Sequence, residues 1–284
     1  MTQHRKLWLI TNDSSGSNDA AAHDAIETSC NSSNFSIAGR TRFPADPLPT
    51  PEGLDEAKVD LLAIFAGDGT LNSAIGAVAG WRGSVLVLPG GTMNLLYHRL
   101  FGELTMEEAL IAVGNGSAQP RRPGIVKCPM GEAYAGTLVG PGTAWNDVRE
   151  AMRAGDLVDL ATDAQAALAE TLSGEAVACY DPPLGRDEGY PLLMLTPQDD
   201  AIELVAYHSE TPLDYLKQAA ALVLRDFRQG PHEVLGRGES FTIGGPAGRG
   251  FGVLLDGEPV HADKPVQFTL ARIDVDLLAI LPNG

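Results

Sequence analysis

Basic side chains are scarce in this sequence of 284 residues. It contains 20 Lys and Arg against 37 Asp and Glu, which gives a formal net charge of −17 at pH 7. Nucleic acid binding depends on clustered Lys and Arg that neutralise phosphates. The charge balance therefore argues against nucleic acid as the main partner.

Cysteines and long apolar segments are also few. Cys30, Cys128 and Cys179 lie far apart and form no CxxC pair, which favours neither a zinc site nor a disulfide framework, and reduced thiols are the default. No stretch approaches 18 consecutive apolar residues, and the apolar run after Lys6 is too short for a signal peptide. We expect a cytoplasmic protein that contacts membranes only peripherally.

Several common catalytic motifs are missing. The sequence has no GxxxxGK[ST], no HExxH and no GxSxG, so a P-loop enzyme is excluded. The glycine run over residues 244–252 leads into a strand and not a helix, which does not fit a dinucleotide-binding fingerprint.

The first 125 residues alternate apolar strands with helices. Strands are predicted over residues 6–11, 35–39, 60–66 and 84–88, and helices over 71–79, from residue 95, and after a capping box formed by Thr105 and Glu108. Four prolines predict a loop over residues 44–53. This alternation is typical of a parallel sheet covered on both faces.

The second half carries short strands, predicted over residues 190–196, 202–208, 239–244, 251–256, 265–270 and 275–281. Asp256-Gly257 predicts a hairpin, one helix is predicted from Thr211 to Gly230, and residues 151–186 are ambiguous. The length alone allows one large domain or two. We expect an α/β domain over 1–123 and a β-sandwich over 124–284, with the option that the last strand returns to the first domain.

Two strand–turn–helix junctions carry the candidate site. Gly67–Thr70 and Gly90–Thr92 each follow an apolar strand. Ligands bind at the carboxyl ends of strands in open α/β sheets, and free N–H groups at a helix N-terminus attract phosphate. A carboxylate at Asp68 would repel phosphates unless it had a task, such as binding the water shell of Mg²⁺ or accepting a proton.

Plain structural roles remain as alternatives. Asp68 could cap a helix after a tight turn, Asn12–Ser17 could be an ordinary loop, and Glu258 could be a solvated hairpin residue. These alternatives weaken when the turns are taken together, because three polar turns would then lie at one edge of one sheet.

Four segments resemble the diacylglycerol kinase catalytic domain family, which includes bacterial lipid kinases and sphingosine and ceramide kinases. They are Asn12–Gly16 after the first strand, AGDGTLN at 66–72, LPGGTMN at 88–94, and residues 254–282 with their DGE hairpin. The segments stand in the family's order and span nearly the whole chain. GDGT alone would not separate the family from NAD kinases.

The resemblance implies an N-terminal nucleotide-binding domain similar to that of phosphofructokinases and a C-terminal β-sandwich. ATP would lie in the cleft between the two, with Mg²⁺. The reaction would transfer the γ-phosphate to the hydroxyl of a lipid substrate at a membrane surface. A homodimer is a further expectation, because an exposed sandwich edge could pair two chains.

The resemblance also implies the site residues. Asp68 would organise Mg²⁺ through water or act as a base, and Glu258 would be the other candidate base. The residues expected to bind the nucleotide are Asn12, Ser15, Gly16, Thr41, Gly67, Gly69, Thr70, Gly91, Thr92 and Asn94.

The sequence departs from the family at several acidic positions. Ser73 replaces a glutamate, Leu95 replaces an aspartate, and the stretch around Gly124 offers no aspartate. The leading hypothesis is a lipid kinase. The alternatives are an NAD kinase-like small-molecule kinase and a degenerate nucleotide-binding protein without turnover.

Local basic patches would be needed to offset the negative net charge at an anionic membrane. Two groups of basic residues are candidates for such patches. One consists of Arg121, Arg122 and Lys127, and the other of Arg225, Arg228 and Arg237.

Overall fold

A computed structural model describes residues 5–12, 26–30, 35–91, 94–144, 176–207, 232–245 and 248–280. The chain divides into two units. The first consists of Met1–Pro123 and Arg272–Gly284, and the second of Gly124–Ala271.

A six-stranded sheet forms the centre of the first unit, in the order β2-β1-β3-β4-β18-β5. Its strands are β1 (Arg5–Thr11), β2 (Phe35–Arg42), β3 (Leu61–Ala66), β4 (Ser84–Pro89), β5 (Gln119–Arg121) and β18 (Asp276–Ala279). Neighbours pair in parallel except β18 and β5, which are antiparallel. All six residues of β3 are buried, as expected for a central strand of a covered parallel sheet.

Four helices of the first unit have defined bounds: α1 (Pro51–Glu56), α2 (Asp68–Ala77), α3 (Leu95–Phe101) and α4 (Met106–Gly114). Residues 26–30 are also helical. The capping box predicted for α4 is present, because the Thr105 and Glu108 side chains each bond to the other residue's backbone N–H.

The loop predicted over residues 44–53 is only partly correct. Helix α1 begins inside it, where the Thr50 side chain accepts a hydrogen bond from the Gly53 N–H and Pro51 occupies the first turn. Proline suits a helix start because its missing N–H would have no intrahelical partner there. The helix predicted from Thr211 to Gly230 lies outside the described residues.

The second unit contains two sheets. One has the order β10-β9-β14-β17-β6-β7 and the other β13-β12-β11-β8-β15-β16. The first part of this unit supplies β6 (Gly124–Cys128), β7 (Gly131–Ala133), β8 (Thr137–Val139), β9 (Ala178–Asp181) and β10 (Pro183–Leu184). The rest are β11 (Leu192–Pro197), β12 (Ile202–Tyr207), β13 (His232–Gly238), β14 (Ser240–Gly244), β15 (Phe251–Leu255), β16 (Glu258–Ala262) and β17 (Val266–Arg272).

One hydrophobic core joins the two sheets of this unit. Ile243 and Phe268 contribute from one sheet, and Leu195, Leu204 and Val253 from the other. Burying each such large side chain stabilises a fold by about 1.5–3 kcal/mol. A shared core between two antiparallel sheets is the arrangement of a β-sandwich.

The predicted fold class is confirmed: a parallel-rich α/β sheet is followed by antiparallel β sheets. The predicted hairpin at Asp256-Gly257 is also present, since β15 and β16 pair with Leu255 opposite Glu258.

None of the helices in the described ranges is long and apolar enough to cross a membrane. The three cysteines are buried free thiols, and burial raises the pKa of Cys30 and Cys179 to about 11.

Candidate functional site

The carboxyl ends of β1, β3 and β4 lie side by side at one edge of the parallel sheet. These strands are consecutive neighbours and run in the same direction. After β1, only Asn12 lies within the described residues. The sheet order reverses around β1, because β2 lies on one side of it and β3 on the other. Such a switch point is where open α/β sheets bind ligands.

A side-chain hydrogen bond joins the end of β1 to the first turn of α2. The Asn12 Nδ2 group after β1 donates to the Thr70 hydroxyl in the first turn of α2, over 2.8 Å. Thr70 is nearly buried, whereas Asn12 is half-buried. Two of the predicted nucleotide-binding residues are therefore in direct contact, although 58 positions separate them in the chain.

The turns after β3 and β4 are packed backbone to backbone. A Cβ atom added to Gly91 would lie 2.6 Å from the Gly67 Cα atom. A Cβ atom at Gly90 would lie 2.6 Å from the carbonyl carbon of Phe65. Real Cβ atoms do not approach this closely, so both glycines are required to bring the two turns together.

Asn94 fixes the turn after β4. Its side chain accepts a hydrogen bond from the Gly91 N–H over 2.7 Å, and both residues are buried. Its backbone is in the left-handed region, with φ 50° and ψ 41°. Asparagine tolerates this conformation better than most residues. The structure thus gives Asn94 a clear role in shaping the loop.

Asp68 is the first residue of α2. The N-cap of the helix is Gly67, and no side chain caps it, so the alternative that Asp68 caps the helix is wrong. Asp68 is half-buried, and its Oδ1 atom is inaccessible to solvent. A negative charge in the first turn interacts favourably with the helix dipole. Asp68 is therefore a carboxylate held at the carboxyl edge of the sheet, directly after β3.

Thr41 is a buried residue of β2. Its hydroxyl accepts a hydrogen bond from the indole N–H of Trp8 in β1, over 3.0 Å. In the structure this hydroxyl connects two strands, and its assignment to a nucleotide site stays a prediction. Gly69 lies in the first turn of α2, where its carbonyl accepts from the Ser73 hydroxyl. Ser15, Gly16 and Thr92 lie outside the described residues.

The second unit carries Glu258 as the first residue of β16, and its side chain is exposed. Asp256, two positions earlier, is 6% exposed. Its carboxylate accepts hydrogen bonds from the N–H groups of Tyr134, Ala135 and Gly136, over 2.6, 2.8 and 2.9 Å. The sequence indicated Asp256 only as a turn residue.

Tyr134 is a buried neighbour of this carboxylate. Burial raises the pKa of its phenol, and the negative charges of Glu132 and Asp256 act in the same direction. The phenol is therefore neutral over the physiological pH range, and its hydroxyl faces the Glu132 carboxylate at 3.4 Å.

The resemblance implies aspartates at two positions, of which one is apolar and the other has no room for a side chain. Leu95 is the half-buried first residue of α3. A Cβ atom at Gly124 would overlap the carbonyl oxygen of Gln198, so this position has no room for a side chain. Within the described residues, no three His, Cys, Asp or Glu side chains form a group that could hold a metal ion.

Glycine-rich turns at the carboxyl edge of a parallel sheet are typical of α/β domains that bind a ligand at that edge. Residues 6–124 match the family model of the diacylglycerol kinase catalytic domain. This part of the chain is therefore similar to that family, as the motifs indicated.

The whole chain is similar in fold to solved structures. A diacylglycerol kinase from Bacillus anthracis str. Sterne has a TM-score of 0.59 and 15% identity, with 99% of this chain and 100% of that chain covered. A second structure, provisionally described as a diacylglycerol kinase from the same organism, has a TM-score of 0.60 and 16% identity, with 99% and 98% covered. At these identities the likeness shows the fold alone. No curated protein matches the sequence.

Proposed function

We propose that this protein is an ATP-dependent lipid kinase that transfers the γ-phosphate to a lipid hydroxyl. The observation that carries the proposal is the pair of contacts around the start of α2, Asn12 with Thr70 and Gly91 with Gly67, within a segment that matches the diacylglycerol kinase catalytic domain model. Phosphoryl transfer needs mainly positioning and charge neutralisation, which a rigid cluster of this kind can supply.

The turns after β3 and β4 are the proposed phosphate cradle. Gly67 and Gly69 carry no side chain, so an anion could approach the backbone of this turn closely. The Gly91 N–H is bonded to the Asn94 side chain and shapes the neighbouring turn. The first turn of α2 adds N–H groups that have no intrahelical partner and lie at the positive end of the helix dipole. The Asn12–Thr70 hydrogen bond would hold the β1 turn against this cradle.

Asp68 is the only acidic residue that we assign to the cradle. Mg²⁺ usually keeps several waters and takes one or two carboxylates together with substrate phosphates. A single carboxylate therefore fits a hydrated Mg²⁺ better than a metal held by protein ligands alone. In that role Asp68 would hold the water shell, and Mg²⁺ would supply charge neutralisation on the phosphates.

Glu258 is the proposed base for the acceptor hydroxyl. Its carboxylate is exposed at the tip of the β15–β16 hairpin, so it is accessible to an acceptor arriving from solution. A base of this kind contributes about 100- to 10,000-fold to a reaction rate.

One observation favours a second candidate, a nucleotide-binding protein without turnover. Leu95 is apolar and Gly124 has no room for a side chain, so neither position can add a carboxylate to the Mg²⁺ water network. This candidate predicts ATP binding without phosphate transfer, whereas the lipid kinase predicts both.

The test is a transfer assay with radiolabelled γ-phosphate, Mg²⁺ and a mixed lipid extract in detergent micelles. We expect a labelled lipid with the wild-type protein and at least about a 100-fold lower rate with Asp68→Asn. ATP binding, measured by calorimetry, should change far less than the rate.

Asp60→Asn is the matched control, because Asp60 is an exposed residue at the opposite end of β3. It removes the same charge from the same unit and should leave the rate unchanged. Equal turnover in Asp68→Asn and wild type would remove Asp68 from the mechanism. Label on NAD, added as an alternative acceptor, would favour an NAD kinase-like enzyme, and ATP binding without any labelled product would favour the degenerate protein.

A further inference from the structure

The β15–β16 hairpin is anchored by a buried carboxylate that the hairpin itself does not require. Asp256 and Gly257 form its two-residue turn, with φ values of 50° and 91°. Positive φ at both positions is typical of a type I′ turn, which Asn-Gly forms as readily as Asp-Gly. The turn itself therefore does not need the negative charge of Asp256.

The Asp256 carboxylate instead accepts hydrogen bonds from backbone groups outside the hairpin. Tyr134, Ala135 and Gly136 direct three successive backbone N–H groups at the Asp256 carboxylate, all within 2.9 Å. The Asp256 N–H also donates to the Gly136 carbonyl, over 3.0 Å. Successive N–H groups that converge in this way form an anion-binding nest. Here the anion is a side chain of the protein.

A buried charge is costly unless it is fully hydrogen-bonded. Asp256 is 6% exposed, and its carboxylate takes bonds on both oxygens, Oδ2 from one N–H and Oδ1 from two. Charge-assisted bonds of this kind are roughly twice as strong as neutral ones. The nest therefore fixes the hairpin tip to the 134–136 loop by contacts that only a carboxylate can make in full.

Glu258 follows two residues after Asp256 and opens β16 opposite Leu255. Strand β15 also pairs with β8 on its other side, where Leu255 lies opposite Thr137. Thr137 directly follows the nest residues 134–136. The backbone of Glu258 is thus tied to the nest through the turn and through two strand pairings. A shift of the tip would move Glu258 together with it.

We propose that Asp256 is a positioning residue for Glu258, and that residues 134–136 form an internal anion site which the Asp256 carboxylate occupies. The kinetic part of this inference rests on the proposed function, in which Glu258 acts as the base. The anion site itself stands on the hydrogen bonds alone.

The decisive variant is Asp256→Gly, because glycine keeps positive φ without strain and leaves the nest without its carboxylate. We expect kcat to fall by about 10- to 100-fold, since a small misplacement of a catalytic group has effects of this size. The KM for ATP should stay within about twofold. Formate should bind in the emptied nest and restore part of kcat, whereas chloride at equal ionic strength should not.

Asp256→Asn tests the charge with the turn retained and guards against a folding failure in the glycine variant. It should lower kcat without responding to formate, because the amide side chain fills the nest. Asp263→Gly is the matched control, since Asp263 is an exposed residue just beyond the other end of β16. That variant should keep wild-type kcat with or without formate.

A second readout separates this inference from the proposed function. NMR signals and hydrogen exchange of the 134–136 amides and of the Glu258 amide should change in Asp256→Gly and return towards wild type with formate. Wild-type kcat in Asp256→Gly, or amide signals that do not respond to formate, would overturn the inference. A wild-type protein that transfers no phosphate counts against the proposed function, and the amide signals then decide whether Asp256 positions Glu258.

Discussion

At the scale of single residues, Asn94 combines an unusual backbone conformation with a buried hydrogen bond. Its φ is 50°, and its side chain accepts from the Gly91 N–H. We expect Asn94→Ala to lower the free energy of unfolding by about 2–3 kcal/mol. About 1–2 kcal/mol of this comes from the buried N–H left unpaired, and about 1 kcal/mol from placing alanine in the left-handed region. Urea titration followed by circular dichroism measures the change.

Asn94→Gly separates the two contributions. Glycine adopts the left-handed backbone without strain but cannot accept the hydrogen bond. It should therefore be more stable than the alanine variant by about 1 kcal/mol and less stable than wild type. Equal stability of the two variants would show that the backbone of Asn94 is not strained.

At the scale of secondary-structure elements, the contact between β1 and β2 depends on a glycine. A Cβ atom at Gly39 would lie 2.7 Å from the Cη2 atom of Trp8 and closer still to two further carbons of the same ring. The indole also donates to Thr41, so the ring is held at both ends. We expect Gly39→Ala to destabilise the protein by about 2 kcal/mol, because overpacking a filled site forces the ring or the strand to move.

The double variant Gly39→Ala with Trp8→Val tests this cause. Removing the ring removes the clash, so the two substitutions together should destabilise by clearly less than the sum of their separate effects. Additive effects would mean that Gly39→Ala destabilises the protein for a reason other than a clash with the indole of Trp8.

The sequence predicted elements whose signals are local and continuous. Residues 61–66 form an uninterrupted apolar run, and Thr105 with Glu108 forms a capping box, so both elements agree with the structure. Helix α1 was missed because its start lies in a proline-rich stretch, although Thr50 followed by Pro51 is a helix-start signal. Three-residue strands such as β7 and β8 are too short to show a period.

Within the candidate site, the sequence predicted which turns come together but not the contacts between them. The Asn12–Thr70 bond and the Gly91–Gly67 approach depend on strand order, which no local pattern encodes. Asp256 was recognised only as a turn residue, because its partners lie about 120 positions earlier in the chain.

At the scale of the whole molecule, the net charge of −17 would oppose binding to an anionic membrane surface. Several cations proposed for basic patches are paired with acids. Arg122 bonds to Asp276 at 2.7 Å and Lys127 to Glu132 at 2.9 Å. Arg237 bonds to an aspartate at 3.1 Å. Arg225 and Arg228 lie outside the described residues.

These pairings predict the lipid and salt dependence of membrane contact. An anionic surface attracts unpaired Lys and Arg by about 1 kcal/mol each and repels acidic residues. We therefore expect cosedimentation with zwitterionic vesicles to exceed that with phosphatidylserine-containing vesicles at low salt. The difference should shrink as salt is raised towards about 0.15 M, where the Debye length is about 8 Å and surface charges are screened. Stronger binding to the anionic vesicles, weakened by salt, would reveal an unpaired basic face, and the variant Arg225→Ala/Arg228→Ala would then show whether these two arginines form it.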